Sequence, residues 1–143
     1  MANVNDAEIT NIYVSQTNPG GVQDDAPNAP LTNPTPAPAF DVTLEMVAGN
    51  ALNTQAYTLT VSCSNVTQTQ NAGPLVPVFP PATIGPPPWK PAGPYFTYSQ
   101  SETVNIPAGF GGGQVYQYTA SLITANGEVA SIKQSDLFVL YAV

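Results

Sequence analysis

Two stretches in the middle of the chain alternate strictly between apolar and polar residues. In Phe40–Met46 every second residue is apolar, and in Tyr57–Cys63 the residues between the apolar ones are all Thr or Ser. A period of two places the apolar side chains on one face of a strand and the polar ones on the other. Both stretches therefore predict half-buried β-strands, and we expect them to pair with each other around the loop Ala48–Ala56.

The second half of the chain repeats this pattern, and no segment of the sequence has a sustained helical period. Asn126-Gly127 favours the positive φ of a tight hairpin turn, so Tyr116–Thr124 and Val129–Gln134 should pair as a hairpin. The pattern predicts an all-β protein. Its strands in this half are Tyr95–Ser99, Glu102–Ile106, Val115–Thr124, Val129–Gln134 and Leu137–Val143.

The segment Val115–Ser131, followed by Ser135–Leu140, has a Tyr-x-Tyr-x-Ala strand, an Asn-Gly turn and a closing strand. This order resembles the last strands of fibronectin type III and related immunoglobulin-like domains. The resemblance implies an immunoglobulin-like antiparallel β-sandwich, with Tyr116 or Tyr118 at the tyrosine-corner position. The chain departs from that family by having no tryptophan in an early strand. The resemblance implies a fold and leaves the activity open.

Proline marks an N-terminal arm that precedes the main domain. Ile9–Ser15 is rich in β-branched and aromatic residues and predicts one short strand, whereas residues 16–39 contain six prolines and favour extended structure. The sequence therefore predicts an arm over residues 1–39 and a sandwich domain over residues 40–143. We expect removal of Met1–Ala39 to weaken assembly more than it weakens the fold.

A second proline-rich segment, residues 74–94, interrupts the domain. It holds nine prolines and the only tryptophan, Trp89. Because proline cannot donate to a sheet ladder, the segment cannot be a central strand, and it predicts a long, stiff, projecting loop. Trp89 with Tyr95 and Phe96 is a candidate contact surface for a partner protein or a glycan. The alternative is that Trp89 folds back and covers its own sandwich.

The charged residues exclude several classes of function. The 143 residues include two lysines, no arginine or histidine, and nine carboxylates, for a formal net charge of −7. Such a surface repels phosphate backbones and anionic membranes. One cysteine without histidine cannot form the usual zinc sites, and Cys63 alternates with hydroxyls as a small buried residue would. No catalytic spacing is present, so we predict no enzyme, no metal and no cofactor.

These observations favour a structural protein, a decoration or assembly subunit that binds a larger protein particle such as a viral capsid, a viral tail or an extracellular filament. We expect several copies, located on a virion or another extracellular assembly surface; the chain opens without a recognisable signal peptide. A glycan- or surface-binding adhesion module is the alternative. Strand addition by the N-terminal arm is one route to assembly. The predicted partner-binding residues are Ile9, Ile12, Tyr13, Trp89, Tyr95 and Phe96.

Overall fold

The computed structural model describes residues 6–16, 23–24, 39–106, 114–125 and 129–139. Within these residues the chain forms ten strands and two short 3₁₀ turns, at Asn50–Leu52 and Gly73–Leu75. The strands are β1 Ala7–Ser15, β2 Ala39–Gly49, β3 Ala56–Asn65, β4 Gln70–Asn71, β5 Ala82–Thr83, β6 Lys90–Ala92, β7 Tyr95–Asn105, β8 Val115–Thr124, β9 Val129–Gln134 and β10 Phe138–Val139.

The strands form two antiparallel sheets. Sheet A has the order β1-β2-β7-β6. In sheet B, β8 is the central strand and pairs with β3 on one side. On its other side, β8 pairs first with β10, at Val115 and Tyr116, and then with β9, over Thr119–Ile123. The short strands β4 and β5 pair with the two ends of β3. This is the ABED and GFC arrangement of immunoglobulin-like sandwiches, and the predicted all-β sandwich is confirmed.

The predicted pairing of the two alternating strands is wrong. β2 pairs with β1 and β7 in sheet A, whereas β3 pairs with β8 in sheet B. The connection Asn50–Gln55 therefore crosses from one sheet to the other. An alternating pattern fixes which side chains point inward, but it carries no information about which strand lies alongside. The predicted hairpin of β8 and β9 is confirmed, although its turn residues lie outside the described part of the chain.

The inward side chains of both sheets meet in one apolar core. Phe138 stacks on Tyr118 with ring centroids 5.1 Å apart, and Phe40 from the opposite sheet lies 5.9 Å from Phe138. The Tyr118 hydroxyl donates to the Leu75 carbonyl oxygen at 2.5 Å. In a tyrosine corner the hydroxyl bonds to backbone a few residues upstream, so Tyr118 instead connects β8 to the proline-rich segment.

The N-terminal strand belongs to the sandwich. β1 pairs with β2 along its length, and it buries Ala7, Ile9, Ile12 and Val14 in the core. The Ile9 N–H donates to Ser131 Oγ at 3.0 Å, which connects β1 to sheet B as well. Removal of Met1–Ala39 should therefore weaken the fold, and the expectation that it weakens assembly more stays a prediction. Most of the predicted linker, residues 17–22 and 25–38, lies outside the described residues.

The proline-rich segment packs against the core, and the expectation of a projecting loop is wrong. Leu75, Pro77 and Phe79 are buried and alternate with more exposed neighbours, as in a strand. Ile84 and Trp89 are buried further along. At Gly85, φ is +118° and an added Cβ would collide with the Asn53 side chain, so only glycine fits there. The prolines restrict the backbone φ angles of the segment, and its buried apolar side chains complete the core.

Both sheets have edges that carry polar side chains on their inward face. Residues 98–105 of β7 have no second strand beside them within the described part of the chain, and there Gln100 and Glu102 lie on the same face as Leu44 and Val42 of β2. In sheet B, Lys133 of β9 lies opposite Ala120 and is exposed at the edge. Next to it, Ser135 Oγ accepts a hydrogen bond from the Tyr118 N–H at 2.9 Å, which interrupts the ladder between β9 and β10.

Candidate functional site

Trp89, the strongest contact candidate from the sequence, is buried. Its ring is 2 % exposed and lies edge-on to Tyr57, with centroids 5.7 Å apart. The Tyr98 ring lies 5.5 Å away on β7. Trp89 therefore covers its own sandwich, which was the alternative left open by the sequence. In this chain the buried tryptophan comes from the proline-rich segment, whereas in immunoglobulin domains the core tryptophan comes from an early strand.

Two polar atoms are buried in the aromatic cluster around Trp89. Trp89 Nε1 and Tyr57 Oη are both buried, and neither has a hydrogen-bond partner among the residues that the structure describes. Burial raises the pKa of Tyr57. The nearby Trp89 N–H lowers this pKa and offsets part of the effect of burial, although the two groups are not in hydrogen-bonding geometry. Uncompensated polar atoms reduce the stabilisation that this aromatic cluster provides.

The other predicted contact residues do not form one surface. Ile9 and Ile12 are each 1 % exposed and face the core from β1. Tyr13 lies on the opposite face of β1, where it is also buried. Tyr95 and Phe96 are half-buried at the start of β7, and Phe96 packs against the core. β2 separates the two groups. Their role in partner binding remains a prediction, and the isoleucines are accessible only if β1 leaves its sheet.

The outer face of sheet B carries no charge in the part of the chain that the structure describes. Its side chains come from three neighbouring strands, and the register places them in rows across β3, β8 and β9. Ile132 is the most prominent apolar group, at 65 % exposed. We call this surface the neutral face. It consists of Thr58, Thr60, Ser62, Ser64, Gln117, Thr119, Ser121, Ile123, Ile132 and Gln134.

The outer face of sheet A has a different character. Glu8, Asp41 and Glu45 project from β1 and β2 on this side. Asp41 accepts a hydrogen bond from Thr103 Oγ1 at 2.7 Å, and Thr43 shares one with Ser101 at 2.6 Å. The two outer faces of the sandwich are thus chemically distinct, since one is acidic and the other uncharged.

A cavity of about 470 Å³ opens on the acidic side. Its floor is formed by the outward side chains of β2 and β7, and Pro88 and Lys90 form one wall. Thr10 lines the cavity from β1, at the residue where a β-bulge interrupts the pairing with β2. The lining residues are Thr10, Glu45, Met46, Val47, Pro88, Lys90, Thr97, Tyr98 and Ser99.

Comparison with known proteins shows the fold. The chain matches no family model and no curated protein. Among solved structures it is similar to a bacterial adhesin from Mobiluncus mulieris that contains intramolecular disulfide, isopeptide and ester bond cross-links, with 10 % identity and a TM-score of 0.53. That match covers 90 % of this chain and 52 % of the adhesin chain, so the chain spans about half the length of the structure it matches.

A second solved structure, the CooA pilin subunit from enterotoxigenic Escherichia coli, aligns with 91 % of this chain and 94 % of its own at 11 % identity and a TM-score of 0.37.

Sequence reasoning missed both outer surfaces. The hydroxyls of the neutral face were visible as the polar positions of Tyr57–Cys63, and they were interpreted only as the solvent side of a strand. The cavity combines residues from β1, β2, β7 and the segment before β6, which only the three-dimensional fold brings together. The strict use of Thr and Ser where strands usually also carry Lys or Glu was the available signal for an unusual surface.

Neither a metal centre nor a membrane span is found in the part of the chain that the structure describes. There, no three His, Cys, Asp or Glu side chains come together as metal ligands. None of the helices in that part has the length and apolar character needed to cross a membrane. Cys63 is buried on β3 as a free thiol.

We expect Cys63 to be unreactive in the folded protein. Burial raises the pKa of its thiol from 9.0 to about 12, so almost no thiolate forms at neutral pH. A thiol-specific chromogenic reagent should label it only in denaturant, whereas the Ser62→Cys variant should release one equivalent at once from its exposed neighbouring position. Immediate labelling of the native wild-type protein would show that β3 opens readily.

The raised pKa of the Cys63 thiol lowers the stability of the folded protein at alkaline pH. The unfolded thiol ionises near its ordinary pKa of 9.0, and the folded thiol near about 12. The folded state therefore holds more protons between these values, and its stability falls as pH rises through that window. Burial raises the pKa of Tyr118 as well, which adds in the same direction. Denaturant midpoints should be constant below pH 9 and decline above it.

Proposed function

We propose that the chain is a non-enzymatic structural protein, a decoration or assembly subunit that binds a larger protein particle, such as a viral capsid, a viral tail or an extracellular filament. The neutral face of sheet B is the observation that supports this proposal. It is formed by side chains of the paired strands β3, β8 and β9, and its described residues carry no charge, in a protein whose formal net charge is −7.

The charge distribution makes this face the favourable one for protein contact. Burying a carboxylate or an ammonium group in an interface carries a large desolvation penalty unless a partner compensates it. Hydroxyl and amide groups can exchange water for a partner's backbone and side chains at lower cost. Ile132, 65 % exposed at the edge of the face, provides an apolar group that gains from burial.

The size of the face favours binding in many copies. It presents ten described side chains, whereas a stable protein interface involves roughly 20–30 residues on each side. A single contact of this size is weak, but repeated contacts in an array add up through effective concentration. This supports a multi-copy subunit over a partner in an isolated heterodimer.

The fold alone is shared with the Mobiluncus mulieris adhesin, and two of the cross-link types named for it, the disulfide and the isopeptide bond, are not expected in this chain. A single cysteine cannot form an intramolecular disulfide. An isopeptide bond uses a lysine amine, and both lysines of this chain, Lys90 and Lys133, are exposed. The sandwich is therefore expected to depend on packing for its stability. An extracellular surface assembly is the location that we propose for it.

The assembly proposal predicts that Ile132→Asp abolishes association and leaves the fold intact. The substitution places a charge on the neutral face, where each copy would have to desolvate it. Analytical ultracentrifugation of native and recombinant material should show large species for the wild type and the 14.9 kDa monomer for Ile132→Asp. Circular dichroism should show the same folded spectrum for both, and the thermal midpoint of the wild type should exceed that of the variant only to the extent that assembly stabilises it.

Val78→Asp is the matched control, because Val78 is 79 % exposed and lies outside the neutral face. It should assemble like the wild type. Equal loss of assembly in the two variants would assign the effect to charge in general and contradict the role of the face. A wild-type protein that stays monomeric in its native material would contradict the proposal itself.

The alternative is a glycan- or surface-binding adhesion module built on Trp89 and the nearby aromatic residues. It requires an exposed aromatic platform. Because Trp89 is 2 % exposed, this platform is not formed in the folded chain. Glycan contact, if the chain makes it, therefore has to use another surface.

A further inference from the structure

The cavity on the outer face of sheet A has an arranged set of polar groups. Thr10 is the extra residue of a bulge in β1, and bulges commonly redirect a side chain next to a binding site. Its hydroxyl donates to the Glu45 carbonyl oxygen at 3.0 Å, which leaves the Thr10 oxygen able to accept. The bulge therefore holds an oriented acceptor at the rim of the cavity.

Glu45 is oriented by its neighbour on β1. Asn11 Nδ2 donates to Glu45 Oε1 at 3.2 Å. The other carboxylate oxygen, Oε2, has no protein partner among the described residues, and Glu45 lines the cavity. A carboxylate fixed in this way is a strong acceptor for hydroxyl donors, because charge-assisted hydrogen bonds are about twice as strong as neutral ones.

Three further polar groups on the floor and the wall of the cavity are free to bind a ligand. The hydroxyls of Thr97 and Ser99 project outward from β7, and the Lys90 ammonium group lies on the opposite wall from β1. None of the three makes an ion pair or a side-chain hydrogen bond within the part of the chain that is described. Val47 and Pro88 add apolar surface between them.

The charges around the cavity select for a neutral ligand. Glu8 lies opposite Val47 on the same face, and Asp41 projects from the same strand as Glu45. Together with the net charge of −7, these carboxylates repel anions. Lys90 on the wall in turn disfavours a cation beside Glu45. A ligand with many hydroxyls and an apolar face satisfies the free donors and acceptors without adding charge.

We propose that this cavity binds a neutral saccharide, with Glu45 and the Thr97 and Ser99 hydroxyls holding sugar hydroxyls and Val47 and Pro88 packing against the sugar ring. Its volume of about 470 Å³ lies within the range of small-ligand sites. This activity is independent of the neutral face, because the two surfaces lie on opposite sides of the sandwich. The protein can therefore assemble through one face and present the saccharide site on the other.

The test uses the full-length protein, labelled with ¹⁵N and titrated with maltose, cellobiose and lactose. Amide signals of β2 and β7 around Glu45 and Ser99 should shift and saturate for at least one sugar, with a dissociation constant on the order of 1 mM for an open site with few contacts. Glycylglycine and N-acetylneuraminic acid serve as zwitterionic and anionic probes. The absence of shifts with all three sugars would overturn the proposal.

Two pairs of matched variants separate the site from general charge effects. Glu45→Gln should weaken saccharide binding about tenfold, since it removes a charged acceptor, whereas Asp41→Asn, on the same face of the same strand, should leave it unchanged. Lys90→Gln removes a charged donor from the cavity wall and should weaken saccharide binding about threefold, whereas Lys133→Gln, at the edge of sheet B, should leave it unchanged. Stronger binding of either charged probe than of the sugars would assign the site to a charged ligand and reject the proposal.

Discussion

Replacing Trp89 with alanine is expected to lower the free energy of unfolding by about 3–5 kcal/mol. The indole is 2 % exposed and packs against Tyr57 and Tyr98, so its removal leaves a cavity at the point where the proline-rich segment meets both sheets. A loss of this size is a large fraction of the stability of an ordinary domain. Urea denaturation followed by circular dichroism measures it without relying on the only tryptophan.

Val78→Ala is the control within the same segment, because this side chain is 79 % exposed. It should change the free energy of unfolding by less than about 0.5 kcal/mol. Fluorescence of the wild-type protein offers an independent check, since the buried indole should resist quenching by acrylamide until the protein unfolds. If Trp89→Ala kept full stability and only lost partner binding, Trp89 would be an exposed contact residue, contrary to the structure.

A chain that begins at Ala39 is expected not to fold. It lacks the three large apolar side chains that β1 buries, Ile9, Ile12 and Val14. At about 1.5–3 kcal/mol for each buried side chain, their loss removes roughly 5–9 kcal/mol, which is comparable to the whole stability of a small domain. Circular dichroism and one-dimensional NMR should show an unfolded or loosely packed chain.

Shortening the linker is the control for this truncation. A variant that lacks only residues 29–34 retains β1, the bond from the Asp24 N–H to the Val14 carbonyl oxygen, and the other residues that connect Asp24 to Ala39. The closure entropy of a flexible loop depends only weakly on its length, so the free energy of unfolding of this variant should lie within about 1 kcal/mol of that of the wild type. A stable, well-dispersed spectrum from the chain that begins at Ala39 would show that β1 is dispensable and would restore the idea of a separate arm.

The strands could be predicted from the sequence because side-chain alternation is a local property. Phe40–Met46, Tyr57–Cys63 and the β8–β9 hairpin lie close to where their patterns placed them. Their neighbours could not be predicted in the same way. β2 and β3 are consecutive and equally amphipathic, yet they lie in different sheets, because β2 pairs along its length with β7 and β3 pairs with β8.

The proline-rich segment was misjudged because proline composition dominated its interpretation. Leu75, Pro77 and Phe79 alternate in burial as strand residues do, but their neighbouring prolines prevent a regular ladder and hide the pattern. The same composition leaves open whether Trp89 lies on the surface or covers its own sandwich. The cavity around Glu45 could not be predicted from the sequence for another reason. The residues that line it are far apart along the chain, and only the order of the strands makes them neighbours.

The polar groups at two of the sheet edges affect how other chains can pair with them. A growing ribbon needs a free, regular edge to which the next strand can bind. Here Glu102 and Lys133 place charges on the inward side of the β7 and β9 edges, and Ser135 breaks the register between β9 and β10. Strand addition at these two edges is therefore unfavourable, which protects them against edge-to-edge aggregation.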